Sequence, residues 1–355
     1  MKLDITLPEV LDRATPPLRA KILKSIELIQ KSEPLALSYD QENGFWLGQS
    51  GGKDSQVLMH LAQLANVKFK AYFSPTSVDP PEVIRFIRRN YPETEFTPLT
   101  HSIYDEFMKR KCLPSMRIRY CCEVFKEQGG KNKVVLVGVR HSESARRAKR
   151  QAVEVTGHKF SGDLEGFKEW SDKRKAKKRK QFDQFSDHKE SMVTCINGKD
   201  KIVISPILDW LDSDVWEFLN DVLRVPHCEL YDQGWTRIGC ICCPMASPKN
   251  TQRDIERWPY VKEKWIKTIM KIRRESLEAT SQITPPHSDT STVAETTGYL
   301  VSRPGWIPPQ YFQSKWAEGG YYASSIRQGL QNWGGGQNPS PRPLRGLWSG
   351  IFRWR

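Results

Sequence analysis

No apolar run in this 355-residue chain is longer than a few positions, which excludes a bilayer-spanning helix of ~18 or more apolar residues. The opening Met1-Lys-Leu-Asp-Ile does not begin a signal peptide, so the expectation is a cytoplasmic protein with no membrane partner. Cysteine is scarce and uneven. There are eight, none lies beyond Cys243, and five fall in two tight groups, Cys121-Cys122 and Cys240-Ile-Cys242-Cys243. In a reducing compartment such grouping points to a metal site before disulfides. Acid is also in short supply, with 41 Asp and Glu against 55 Lys and Arg and a net charge of +14. That balance favours polyanionic partners: nucleotides, nucleic acid or acidic proteins. The spacing GxxxxGKS/T is missing, which removes the usual γ-phosphate-transfer loop.

The length allows one enzyme-sized domain with appendages. Leu18, Ile22, Ile26 and Ile29 recur about one turn apart, predicting a helix over 17–31 within an N-terminal helical segment, residues 1–39. From Phe45 to Leu99 short apolar runs alternate with helix-sized patterns. Phe69-Lys-Ala-Tyr-Phe73, Glu95-Phe96-Thr97, Val134-Val-Leu-Val-Gly138 and Ile202-Val-Ile-Ser205 read as strands. Helices are expected after Pro80-Pro81, over 212–219 and as one helix over 254–274. Strands separated by helical crossovers imply an α/β fold, a parallel sheet with helices on both faces, with a helical cysteine-bearing part after it. Residues 40–155 and 200–275 form the expected nucleotide-binding domain. Residues 156–199 read as a basic insertion, and 276–355 as a partly low-complexity C-terminal extension. Within the insertion, Lys173-Arg-Lys-Ala-Lys-Lys-Arg-Lys180 carries seven basic residues in eight positions. Such a run is more often a solvated loop or frayed helix than a binding site; nucleic-acid backbone is the partner it would suit.

A strand ending in Ser50-Gly-Gly-Lys-Asp-Ser55 and entering a helix gathers unpaired backbone N–H groups and the positive end of the helix dipole at one point, an anion site. Gly51 and Gly52 permit the sharp turn and the close approach of phosphate, and Ser50, Lys53 and Ser55 add donors. Asp54 either orients the loop or holds Mg2+. The hexapeptide resembles the signature SGGxDS of the PP-loop ATP pyrophosphatases, which cleave between the α- and β-phosphates and share the adenine nucleotide alpha hydrolase-like fold. Within that superfamily the chain resembles the phosphoadenosine phosphosulfate reductase family over about residues 40–275. The matching stretches are Thr76-Ser-Val-Asp79-Pro-Pro-Glu82, Arg117-Ile-Arg-Tyr-Cys-Cys122, Gly138-Val-Arg140-His-Ser-Glu143-Ser-Ala-Arg146-Arg147, Pro206-Ile-Leu-Asp-Trp210, Asp214-Val-Trp216 and Tyr231-Asp-Gln-Gly-Trp-Thr-Arg237-Ile-Gly-Cys240. Gly48-Gln49 departs from the apolar or small residues expected before the loop. The resemblance implies ATP and Mg2+ as ligands, Asp79 near the ribose or Mg2+, Arg140 and Arg147 near the phosphates, and catalysis by Lys53, Asp54 and Arg140 through charge neutralisation at the α-phosphorus. For Arg146 a solvated role is the simpler reading, and Glu143 and Ser144 either cap a turn or touch substrate.

Cys121, Cys122, Cys240 and Cys243 supply four thiolates, enough for a [4Fe-4S] cluster or a tetrahedral zinc. Adjacent cysteines are expected to point their sulfurs apart, which favours separated irons over one zinc; buried free thiols are the third reading. The resemblance implies a cluster too, since adenylylsulfate reductases and the sulfur-transfer enzymes of DNA phosphorothioation bind one through comparable pairs. Cys242 either replaces a ligand or acts as a nearby sulfur acceptor. Cys112, Cys195, Cys228, His60 and His227 carry no spacing signal. The family's reductases use a nucleophilic thiol near the C-terminus, and residues 244–355 hold none. The preferred expectation is therefore an ATP pyrophosphatase that activates an acceptor for sulfur transfer, supplied by a cysteine desulfurase or other sulfur donor and nearest to the DNA phosphorothioation type. Sulfonucleotide reduction and a non-catalytic nucleic-acid-binding regulator are the alternatives.

Overall fold

Apolar runs bounded by turn residues become strands here, and runs with apolar residues one turn apart become helices. The computed structural model describes residues 3–115, 118–156, 160–182 and 200–281. Helices α1 (Leu7–Arg13) and α2 (Pro16–Tyr39) lead into β1 (Phe45–Gly48), α3 (Lys53–Leu64), β2 (Phe69–Phe73) and α4 (Pro81–Asn90). After these come β3 (Glu95–Phe96), α5 (Ile103–Arg110), α6 (Tyr120–Phe125), β4 (Val134–Leu136), β5 (Val153–Val155) and β6 (Phe160–Gly162). The described chain ends with α7 (Leu164–Phe182), β7 (Ile202–Ile204), α8 (Asp212–Trp216), α9 (Pro248–Arg257) and α10 (Pro259–Ser281).

The strands form one sheet in the order β3-β2-β1-β4-β7-β5-β6. The first five run parallel, as expected. All residues of β4 and β7 are buried, as strands covered on both faces must be. An antiparallel hairpin, β5 and β6, extends the sheet beyond β7. At three residues each these strands are too short for alternation to be read from sequence. The stretch expected as an insertion therefore contributes a sheet strand and α7. The α2 stripe of Leu18, Ile22, Ile26 and Ile29 is buried, and α2 packs on α3, β1 and β4. It continues past the expected end at 31, through Pro34, to Tyr39. The single helix expected over 254–274 is two, because Pro259 disfavours helical backbone at Trp258 and suits the first turn of a new helix.

From β1 the chain builds outward through β2 to β3, then crosses to β4 on the other side. At such a reversal a crevice opens beyond the carboxyl ends of the strands. The segments leaving β1, β2 and β4 carry Ser50–Ser55, Asp79 and Arg140, so topology alone delivers these residues to one end of the sheet. Among the described residues no helix is long and apolar enough to cross a membrane.

Candidate functional site

Residues 49–52 turn the chain from β1 into α3. Gly51 has φ +71°, and a Cβ there would stand 2.6 Å from Val83 Cγ1, so backbone and space both require glycine. Gln49 is buried. Its side-chain oxygen accepts from Ser55 Oγ at 2.5 Å and from the Gly51 N–H at 3.2 Å. The Ser50 N–H donates to Ser55 Oγ at 3.1 Å, and the Gly52 N–H donates to Ser50 Oγ at 3.4 Å. The polar residue that departs from the expected pattern is thus the loop's internal brace. The first-turn N–H groups of α3 lack intrahelical partners and carry the positive end of its dipole. One of them, from Lys53, donates to Tyr231 Oη at 2.9 Å.

Lys53 and Arg140 are both buried, and both end on carboxylates. Lys53 Nζ lies 2.6 Å from Asp212 Oδ1 and donates to the Thr236 carbonyl at 3.2 Å. Arg140 Nε donates to Asp54 Oδ1 at 2.7 Å, Nη2 to Asp212 Oδ1 at 2.9 Å and Nη1 to Ser142 Oγ at 3.2 Å. Two cations and two carboxylates make a compensated cluster at the loop. Burial pushes the Asp54 carboxyl above its usual range despite the Arg140 charge. Burial acts the same way on Asp212, yet the Lys53 and Arg140 contacts outweigh it and hold that carboxyl low. Glycine at 138 allows β4's exit to pass the first turn of α3: a Cβ there would meet the Asp54 carbonyl oxygen at 2.8 Å. Arg147 pairs with Glu143. Glu143 Oε1 accepts the Arg140 N–H at 3.0 Å, and Ser144 Oγ accepts the Arg147 N–H at 3.3 Å, so these two cap their turns. Arg146 is exposed.

The thiols lie beside the segment that follows β2. Ile241 N–H donates to the Val78 carbonyl at 2.8 Å, Thr76 Oγ1 is 3.4 Å from Cys240 Sγ, and the Thr76 N–H donates to Asp79 Oδ2 at 2.5 Å. Lys126, the exposed residue that follows α6, is raised above the ordinary lysine range, first by Cys240 and also by Asp79. Asp79 therefore stands with the thiols. The interaction with Cys121, assisted by Arg119 Nη2 at 3.5 Å from its sulfur, holds Cys122 below the ordinary thiol range against its burial. The same contact, with burial, raises Cys121, which also feels Cys240 and Cys243. Among the described residues no three His, Cys, Asp or Glu side chains are grouped to hold a metal ion. Charge acts over longer distances than a metal–sulfur bond of about 2.3 Å, so the four thiols share a neighbourhood without clasping one point.

Cys242 is set apart from that group. It adopts φ +56°, is buried, and burial pushes its thiol up to about 12. Its N–H donates to Asp254 Oδ2 at 2.9 Å, while Asp254 Oδ1 accepts Trp235 Nε1 at 3.2 Å. His60 is a core residue, its Nε2 3.0 Å from Tyr91 Oη, and His227 Nε2 lies 2.8 Å from Asp232 Oδ1. Cys228 is buried in the core. Cys195, the side chains of 175–180 and the extension beyond 281 lie outside the described residues. Sequence motifs assign no role to Lys126, Asp212 or Tyr231, and mark Gln49 only as a departure from the expected pattern. Lys126 carried a signal, four residues from Cys122 and hence on the same helix face. Tyr231 opens one of the stretches that carry the family resemblance.

The model of the phosphoadenosine phosphosulfate reductase domain family matches residues 45–246. An uncharacterised protein of Methanocaldococcus jannaschii is 28% identical over 231 residues, 62% of this chain and 46% of that protein. The chain thus spans under half the length of that curated relative. The adenosine 5'-phosphosulfate reductase of Allochromatium vinosum is 37% identical over 62 residues, 18% of this chain and 23% of that protein. Among solved structures, an FMN adenylyltransferase of Candida glabrata in complex with FAD and inorganic pyrophosphate is 16% identical, with a TM-score of 0.42, covering 70% of this chain and 77% of that one.

Proposed function

This chain belongs to the phosphoadenosine phosphosulfate reductase domain family, and on that premise we propose that it cleaves ATP to AMP and pyrophosphate, activating an acceptor for sulfur transfer. The observation that carries this reading is the braced loop of residues 49–55, opening α3 at the crevice with Lys53 and Arg140 held behind it. Attack at the α-phosphorus develops negative charge on the departing pyrophosphate. First-turn amides of α3 stabilise that charge without reorganising, because Gln49 and Ser55 have already fixed the turn. Asp212 is exposed at its side chain while Lys53 and Arg140 are buried, so Asp212 is the counter-ion that phosphate oxygens can replace. Asp54, tied to Arg140, orients the loop.

Asp79 would hold Mg2+, which supplies positive charge at the leaving group. Cys121, Cys122, Cys240 and Cys243 would hold the [4Fe-4S] cluster, with zinc the alternative; an all-sulfur donor set suits either. A cluster there would supply redox chemistry beside Lys126 and Asp79. Nucleic acid would meet the basic run on α7, where Lys173 lies 3.7 Å from Glu169 and Arg174 sits 5.3 Å over the Trp170 ring. A cysteine desulfurase or other donor would bring sulfur.

Sulfonucleotide reduction is the second reading, favoured by the 62-residue likeness to an adenosine 5'-phosphosulfate reductase. One experiment tests both. Anaerobic protein receives α-labelled ATP with and without DNA or RNA, and separately each sulfonucleotide with reduced thioredoxin. AMP and pyrophosphate are expected. ADP and phosphate would overturn the first reading, sulfite release would install the second, and no turnover of any substrate would leave a non-catalytic nucleic-acid-binding regulator.

A further inference from the structure

One side chain from far along the sequence reaches the phosphate loop. The Lys53 N–H donates to Tyr231 Oη at 2.9 Å, and a Cβ built on Gly52 would stand 3.4 Å from that same oxygen. The hydroxyl therefore lies over the peptide joining Gly52 to Lys53, the first amide of α3. Its ring is fixed by Trp216, whose centroid is 5.0 Å away at an interplanar angle of 86°, and Trp216 packs in turn on His227 at 5.2 Å. The Tyr231 backbone is held as well, its N–H donating to the Cys228 carbonyl at 3.0 Å. Lys53 Nζ passes 5.6 Å from the ring centre.

A phenol oxygen that accepts an N–H still has its own proton to give. Among the described residues Tyr231 Oη has the Lys53 amide as its hydrogen-bond partner and no acceptor for that proton. Burial raises the phenol above its ordinary range, so the proton stays on at neutral pH. Accepting from the amide polarises the O–H and strengthens it as a donor. We propose that Tyr231 is a binding residue of the phosphate loop, donating its hydroxyl to a phosphate oxygen of the nucleotide or of pyrophosphate seated over the Gly52–Lys53 peptide. This rests on the phosphate-loop reading above and adds a contact that the loop hexapeptide does not contain.

The test titrates inorganic pyrophosphate, then adenosine, into the full chain and into Tyr231→Phe, following the fluorescence of Trp216 and the other tryptophans. Phenylalanine keeps the ring and its packing on Trp216. The expected result is a rise in the pyrophosphate Kd of roughly tenfold or more, the loss of a hydrogen bond to a charged group, with adenosine affinity unchanged. Equal pyrophosphate affinity in the two proteins would sink the role of Tyr231 and leave the loop reading standing. Tighter pyrophosphate binding by Tyr231→Phe would mean that the hydroxyl competes with phosphate, and weaker binding of both probes would mean a structural role; either overturns the proposal. A wild-type chain that binds no pyrophosphate would remove the loop reading and this one with it. If Tyr231→Phe did not fold, 3-fluorotyrosine inserted at 231 would serve at neutral pH: its stronger O–H donor should tighten pyrophosphate binding and leave adenosine unchanged, and equal pyrophosphate affinity would refute the contact.

Discussion

Replacing Arg140 by alanine strips the guanidinium from Asp54 and Asp212 together. Removing one partner of a buried ion pair costs about 3–5 kcal/mol, most of it the penalty of the stranded charge. Asp212 is 58% exposed at its side chain and will be rehydrated, whereas Asp54 is 25% exposed and will not be fully. A loss of about 2–3 kcal/mol near neutral pH follows once solvent screening is allowed for. The pH dependence identifies the cause. Burial already lifts Asp54 above its ordinary 3.8, and without Arg140 it rises further. A carboxyl whose folded pKa exceeds its unfolded value destabilises the fold as pH rises through that window, and the penalty vanishes below the unfolded value. The gap between wild type and Arg140→Ala should therefore be widest near neutral pH and close toward pH ~4. Urea midpoints by circular dichroism across that range, with Asp54→Asn/Arg140→Ala beside the single variant, provide the assay. The double variant should recover most of the loss at neutral pH. A gap independent of pH, or a double variant as unstable as the single, would refute the stranded-carboxylate account.

Gly138→Ala places a methyl 2.8 Å from the Asp54 carbonyl oxygen and 2.9 Å from its carbon; backbone cannot yield as a side chain can, so a loss of about 1–3 kcal/mol is expected, together with weaker pyrophosphate binding as the first turn of α3 shifts. Wild-type stability and affinity would show that β4's exit tolerates the methyl. Serine at Cys121, Cys122, Cys240 or Cys243 should lower the iron content of anaerobically purified protein, while Cys242→Ser should not, because Cys242 is buried and its backbone is tied to Asp254. One zinc per chain without iron would replace the cluster, and iron lost in Cys242→Ser would redraw the ligand set.

Much of the sheet could be read because its parallel strands are buried on both faces and so appear as unbroken apolar runs, Val134 to Leu136 and Ile202 to Ile204 among them. The β5–β6 hairpin could not, since Val153-Glu-Val155 and Phe160-Ser-Gly162 carry one apolar alternation between them, and Thr156-Gly-His-Lys159, which joins them, holds no Asn-Gly or Asp-Gly pair. The break at Pro259 was visible in principle; the stripe of Ile255, Trp258, Val261 and Trp265 runs across it in phase and masked it. At the site, the hexapeptide announced its own turn because glycine is required where φ is positive. Its brace was harder to see. Gln49 acts through a side-chain carbonyl folded back on Gly51 and Ser55, a contact set by a rotamer and not by spacing. Asp212 and Tyr231 reach the loop from more than 150 positions away, and no local pattern encodes such a meeting.

The two halves of the site share one stretch of backbone. Thr76 Oγ1 lies within hydrogen-bond reach of Cys240 Sγ, its N–H donates to Asp79, and the Val78 carbonyl accepts the Ile241 N–H. The segment leaving β2 is therefore hydrogen-bonded to the thiol turn at two points, and the carboxylate implied for the nucleotide's ribose or Mg2+ is fixed by a third bond within the same four residues. On the far side, Lys126 answers to both Cys240 and Asp79. A displacement of the 240–243 turn has to move Thr76 or break its bonds, and in moving Thr76 it moves the amide that orients Asp79. The 240–243 turn and Asp79 are thus tied together by three backbone or hydroxyl contacts, with Lys126 under the influence of both.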